Sequence, residues 1–214
     1  MIEALVPATV VTVVTGADLQ TALFPQEVRS LGRAAGKRRR EFETGRACAR
    51  QALERLGLPG TAVATGGHGE PLWPAGVVGS ITHCERYRAC AVARVRDVRS
   101  VGVDAEVHAP LPVGVLEAIA GPAERRALLA HPAGTCWDRL LFSAKEAVFK
   151  AWFPLIGREL GCEDFEVRIN PRDRTFGTRL LVAAPSLGDE LPPHFHGRWR
   201  AAGGIVATAV VVVR

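Results

Sequence analysis

Apolar and polar positions along the chain change period several times, and those changes divide it into elements. Residues 1–15 mix Val, Thr and Ala in a strand-like run, followed by a loop that holds Gly16 and Pro25. From Gly36 to Leu58 the apolar Phe42, Cys48, Ala49, Ala52, Leu53 and Leu56 recur near the helical period, with Gly57 and Pro59 as stop signals, which predicts a helix. Residues 59–79 carry many glycines and prolines and predict turns and short strands. Strands resume at residues 80–82, 89–95 and 100–106, separated by turn-like stretches, and together they predict an antiparallel meander.

The second half repeats this order. VLEAIAGPAERRALLA reads as helical, and residues 137–153 predict the longest helix, ended by Pro154 and Gly157. Residues 179–183, 197–201 and 205–213 predict the last strands, with Gly203 and Gly204 in a tight turn. Each half runs helix, then strands. The expected class is therefore α+β, in two similar lobes, each a small antiparallel sheet packed with a long helix. The lobes are expected to span residues 1–104 and 105–214, joined near residues 104–112.

Composition narrows the partners. Of 214 residues 48% are hydrophobic, enough for a substantial core. No run approaches the roughly 20 apolar residues that cross a bilayer, and the N-terminal stretch has no basic region before its apolar run, so a cytosolic protein without a membrane partner is expected. Five cysteines, odd in number and without CxxC spacing, are expected to be reduced and mostly buried. A net charge of +5 favours a polyanionic ligand or an acidic partner. The 27 basic residues include only three lysines, Lys37, Lys145 and Lys150, and two of these lie in one segment, where a compact ammonium is wanted in place of a planar guanidinium.

Four clusters could carry chemistry. In V101-G102-V103-D104-A105-E106 a strand places Asp104 and Glu106 on one face, about 7 Å apart; two acids so placed suit either a magnesium site or a solvated outer face. Glu146 and Lys150, four residues apart, share a face of the long helix, a spacing that a common surface ion pair also has. In V78-G79-S80-I81-T82-H83-C84, glycine and small hydroxyls allow close approach to a ligand, with His83 at the strand end; a structural histidine is the alternative. Lys37 to Arg40, with Arg46 one to two turns on, can surround a phosphate. A nucleic-acid surface is the rival for these arginines, but no DNA-binding motif occurs, there is one tyrosine, and the other arginines are scattered.

Taken together, GHGEPLWPAGVVGSITH, VGVDAE and FSAKEAVFKAWFPL, supported by the REFETGRACAR helix, resemble phosphopantetheinyl transferases of the two-lobed type that activates surfactin and enterobactin synthetases. The resemblance runs from about Arg38 to Trp152; the final sixty residues carry no diagnostic motif. It implies a pseudo-twofold pair of lobes with the active site at their interface, and transfer of 4'-phosphopantetheine from coenzyme A to a serine of apo carrier proteins. It also implies a monomer that needs Mg²⁺, held by Asp104, Glu106 and Glu146.

By the same carry-over Lys150 would touch the pyrophosphate and favour departure of 3',5'-ADP. Lys145, His83 and Arg46 would bind other phosphate oxygens, Arg38 would reach the 3'-phosphate, and Gly79, Ser80 and Thr82 would line the cleft. One departure stands out: where the family often has a lysine or arginine, this chain has His68, whose neutral imidazole would weaken a phosphate contact. The carrier partners of such enzymes resemble small acidic helical bundles, which the positive charge suits. The rival enzyme class is another coenzyme-A-dependent transferase such as an acetyltransferase, which leaves Asp104, Glu106 and Glu146 unexplained.

Overall fold

The computed structural model of the chain describes residues 1–32, 35–182 and 194–214. Antiparallel pairing dominates, as expected for the α+β class. β1 (Val11–Thr15), β5 (Tyr87–Arg94) and β4 (Val77–Cys84) form a three-stranded sheet in the order β1-β5-β4. β6 (Val98–Val107), β10 (Ile205–Val213), β9 (His196–Ala202), β8 (Thr175–Leu180) and β7 (Phe165–Asn170) form a five-stranded sheet in that order. A two-stranded hairpin, β2 (Ala64–Thr65) with β3 (Pro71–Leu72), carries the Gly-rich turn that contains His68.

The apolar alternation of each strand fixes the layering. On β5, Cys90 and Val92 face α2 (Gly36–Arg55), packing with Cys48, Ala49, Ala52 and Leu53, while Ala89, Ala91 and Ala93 face the other sheet. On β6, Val101, Val103 and Ala105 meet those alanines together with Ala207 and Ala209 of β10. Val206, Val210 and Val212 point the opposite way, toward α5 (Trp137–Ile156). The order of layers is thus α2, three-stranded sheet, five-stranded sheet, α5. Small side chains at the centre let the sheets approach closely.

Several sequence expectations meet a different arrangement. β6 does not continue a meander with β4 and β5 but pairs along its length with β10, from Val107 opposite Ile205 to Gly102 opposite Val210. The expected lobe boundary at 104/105 therefore falls inside one strand, and the sheets change over in the turn at Asp97. The helical segment after Pro112 splits into α3 (Val115–Ile119) and α4 (Pro122–Leu129), because Gly121 and Pro122 open a fresh N-terminus. α5 continues through Pro154 to Ile156, where Gly157 in the left-handed region closes it by donating to the carbonyl of Phe153. Proline that late in a helix removes one hydrogen bond without room to kink much. Gly203 (φ 57°) and Gly204 (φ 76°) form the tight turn expected between β9 and β10. Ala183 of the strand expected at 179–183 lies outside the described residues.

One buried arrangement occurs twice. Glu27, in the Pro-Gln-Glu opening of α1 (Pro25–Leu31), accepts from the backbone N–H of Phe24 (2.9 Å) and of Val63 (3.0 Å) and from Arg50 of α2 (2.7 Å). Glu124, in the Pro-Ala-Glu opening of α4, accepts from the N–H of Gly121 (2.9 Å) and of Val167 (2.8 Å), and pairs with Lys145 of α5 (3.1 Å). In each half a fully satisfied buried carboxylate ties a short helix, the long helix and the following chain into one unit.

Candidate active site

The site depends on how closely α5 lies on β6. A Cβ on Gly102 would sit 1.9 Å from the carbonyl oxygen of Ala147 and 2.6 Å from the amide nitrogen of Ala151, both α5 backbone. Glycine is therefore required there. Ser100 Oγ donates to the carbonyl of Ala151 (2.7 Å), and Thr208 Oγ1 of β10 donates to the carbonyl of Ser143 (2.8 Å). Ser100, Gly102, Asp104 and Glu106 alternate along β6 and face the helix. Their partners on α5 are Ala151, Ala147, Lys150 and Arg139.

On β4 the alternate residues Ser80 and Thr82 join the sheets. Ser80 Oγ accepts from the N–H of Val103 (3.1 Å), and Thr82 Oγ1 accepts from the N–H of Ala105 (3.0 Å). The two hydroxyls satisfy backbone donors on the free edge of β6, as a neighbouring strand would. Thr82 also donates to Asp104 Oδ1 at 3.3 Å. Thr82 thus positions Asp104 and does not line the cavity, a correction to its expected place among the cofactor contacts.

A cleft of about 760 Å³ opens between α2, the 65–73 turn, β4 and α5. It is within the range of small-molecule sites. Arg38, Arg46, His68, Ser80, His83, Glu146 and Lys150 all line it, with Gly79 and an apolar wall that includes Phe149 and Phe153. Trp73 donates to the carbonyl of Gly79 at 2.9 Å and leaves no room there for a side chain. The Gly-Pro-rich segment is in this way fastened to β4.

On the α2 side Arg46 is buried, donates to Thr65 Oγ1 (2.8 Å) and stacks on Phe42 with its guanidinium carbon 4.3 Å from the ring centre. Its Nε has no hydrogen-bond partner. Burial pushes its pKa down, against the attraction of Glu27. A buried, incompletely paired cation in the wall of a cavity is a place where an anion is favoured. His83 is also pushed down, first by burial, while Glu41 pulls it up from 3.8 Å.

On the α5 side Lys150 Nζ donates to Asp104 Oδ1 (2.7 Å) and to the carbonyl of Val103 (3.3 Å). Asp104 Oδ2 is buried without a partner. Glu146 has its pKa raised, first by burial and then by the charge of Asp104, against Lys150. Glu106 is raised by burial and by Asp104, against Arg139, whose Nη1 reaches it at 3.0 Å. Among the described residues no three acidic, histidine or cysteine side chains are gathered as a ready metal cluster. Asp104 is turned to Lys150, and Glu106 to Arg139. The donors still suit a hard divalent ion: all are carboxylate oxygens, one of them buried and unpartnered, and both glutamates are held near another negative charge.

Lys145 does not reach the cleft. It is buried on the opposite side of α5, donating to the carbonyls of Cys162 (2.7 Å) and Phe165 (3.1 Å) and paired with Glu124. Adjacent helical residues lie about 100° apart, so Lys145 and Glu146 cannot share a face. Arg139, Glu41 and Glu159 were not singled out in the sequence. For Arg139 a signal existed, since residues 139, 143, 146 and 150 form one stripe at helical spacing.

The comparisons with known proteins cover nearly the whole chain. Residues 26–93 match the 4'-phosphopantetheinyl transferase N-terminal domain, and residues 100–207 match the 4'-phosphopantetheinyl transferase superfamily. The two matches meet where the sheets change over. The chain is 49% identical to 4'-phosphopantetheinyl transferase Svp of Streptomyces mobaraensis, over 99% of this chain and 89% of that protein. It is 44% identical to 4'-phosphopantetheinyl transferase PptT of Mycobacterium tuberculosis, over 99% of this chain and 98% of that one. With enterobactin synthase component D of Salmonella typhimurium it shares 33% identity over 63% of this chain and 56% of that protein.

Proposed function

Because this chain belongs to the 4'-phosphopantetheinyl transferase superfamily, we propose that its cleft binds coenzyme A and passes the phosphopantetheine to a serine of an apo carrier protein. One observation carries the reading: a single cavity has a buried, incompletely paired arginine on one wall and Glu146 with Lys150 on the other, the lysine leading back to Asp104, which like Glu106 lies behind the cavity wall. That pairing suits a ligand with phosphates at both ends of the cleft. An acetyltransferase would have no use for the acids.

The serine oxygen attacks the phosphorus that bears the pantetheine arm, a new O–P bond forms, and the bond to 3',5'-ADP breaks. Glu146, which lines the cleft beside Lys150, takes the serine proton, directly or through a water. Lys150 offsets charge on the departing 3',5'-ADP. Asp104, Glu106 and Glu146 would hold Mg²⁺, which would neutralise diphosphate charge as that bond breaks. Arg46, His83, His68 and Arg38 bind and orient the remaining phosphate oxygens from the α2 side. Phe149 and Phe153 keep water from part of the cleft.

The repeated buried glutamate and the two 20-residue helices, one per sheet, support a pseudo-twofold relation between the lobes. The protein is read as a cytosolic monomer; no helix among the described residues is long and apolar enough to cross a membrane. Its partners are acidic carrier domains of fatty-acid, polyketide, peptide or siderophore synthesis. The test is to incubate the protein with coenzyme A, Mg²⁺ and a panel of apo carriers, then weigh the carriers. A phosphopantetheine adduct on serine is expected; unmodified carriers throughout would reject the reading.

A further inference from the structure

Both histidines that line the cleft have a carboxylate at the same ring nitrogen. His68 Nδ1 lies 3.2 Å from Glu159 Oε1, and His83 Nδ1 lies 3.8 Å from Glu41 Oε2. The first is a hydrogen-bond distance and the second an ion-pair contact. The two pairs come from unrelated places: Glu41 is on α2, whereas Glu159 follows the end of α5. In each the far nitrogen, Nε2, is left for the cavity that the ring lines.

The histidines are themselves fixed. The His68 turn is held by its own N–H donating to Glu70 Oε2 (2.9 Å), and its ring packs on Phe153 with centres 5.0 Å apart. Glu41 also takes Lys37 at 3.7 Å, which steadies it beside His83. We infer that Glu159 and Glu41 are positioning residues, each holding Nδ1 of a cleft histidine so that Nε2–H is presented to a coenzyme A phosphate. The inference rests on the assignment of the cleft to coenzyme A and names two residues that shape its affinity.

The chemistry is specific. An imidazole that donates to a carboxylate from Nδ1 and to a phosphate from Nε2 carries a proton on both nitrogens and is positively charged. For His83, which burial holds below the ordinary imidazole range, ligand binding at neutral pH therefore draws in a proton, and Glu41 makes that uptake easier. The charged groups around His83 are Glu41 on α2, Arg88 on β5, Asp104 on β6 and Lys150 on α5, of which the two acids favour its charged form. Around His68 they are Glu70 in its own turn and Glu159 across the cleft. His68 thus has its carboxylate partner from beyond the end of α5, far away in sequence.

The experiment is calorimetric titration with 3',5'-ADP at neutral pH in two buffers of different ionisation heat, giving affinity and proton uptake together. Glu159→Gln should weaken binding about 2- to 5-fold, as befits an exposed pair, and Glu41→Gln, whose carboxylate is mostly covered, up to about 10-fold. Proton uptake should fall in Glu41→Gln, the KM for coenzyme A should rise in both variants with kcat kept, and Glu159→Asp should recover part of the loss. Glu159→Gln should add nothing in a His68→Gln background. Wild-type affinity in both variants would overturn the inference, as would unchanged proton uptake in Glu41→Gln or a Glu159→Gln effect undiminished without His68. Wild-type protein that fails to bind 3',5'-ADP would reject the assignment of the cleft itself.

Discussion

The contact between Gly102 and α5 makes the sharpest prediction, because it couples packing to chemistry through one absent methyl group. Gly102→Ala would place a carbon 1.9 Å from the Ala147 carbonyl oxygen. An ordinary contact requires the helix to retreat by roughly 1–1.5 Å. Forcing an extra carbon into a close-packed interior costs about 1–3 kcal/mol, which for a chain of this size lowers the melting temperature by about 2–12 °C. The same retreat carries Glu146 and Lys150 away from Asp104, now 2.7 Å from the lysine. Misplacement by about 1 Å can cost on the order of 100-fold in rate. Holo-carrier formation followed by mass spectrometry, beside a thermal melt, measures both effects. Full activity with an unchanged melt would show that the seat of α5 on β6 does not set the site geometry.

Other substitutions separate binding roles from structural ones. Lys145→Met leaves Glu124 buried without its cation, so stability should fall by about 3–5 kcal/mol while the KM for coenzyme A, measured well below the melt, stays unchanged; a raised KM would return Lys145 to the phosphate ligands. Glu146→Gln should abolish most turnover at saturating Mg²⁺. Because the folded-state pKa of Glu146 is raised, it weakens the fold once pH rises past its ordinary value of 4.5 toward the higher folded value, and that loss persists above. The glutamine variant, assayed without divalent ions, should therefore melt above wild type at pH 8 and level with it near pH 4. Thr82→Val removes the acceptor of the Ala105 N–H and a donor to Asp104, and should cost about 1–3 kcal/mol with a loss of activity. Carrier modification should slow as ionic strength rises if docking is electrostatic.

Local pattern made much of this legible. α2, α5 and the turn at Gly203 and Gly204 follow from helical period, stop signals and paired glycines. The alternation in VGVDAE placed Asp104 and Glu106 on one face of β6, and that face does meet α5. Long-range choices were not legible. Nothing local distinguishes a β6 that continues a meander from one that pairs with β10 over a hundred residues later, since strand pairing depends on the complementary strand. The error over Lys145 had another origin. The resemblance placed it at the phosphates, whereas the 100° step between neighbouring residues sends it into the core once Glu146 faces the cleft. Glu159 left no trace at all, because its relation to His68 arises only from tertiary contact across the cleft.

The most direct measurement is an anomalous difference map from a crystal of the protein with coenzyme A and Mn²⁺ in place of Mg²⁺. The account predicts one strong peak among the carboxylates of Asp104, Glu106 and Glu146, in contact with the diphosphate. A diphosphate bound in the cleft with no metal among these acids would contradict it.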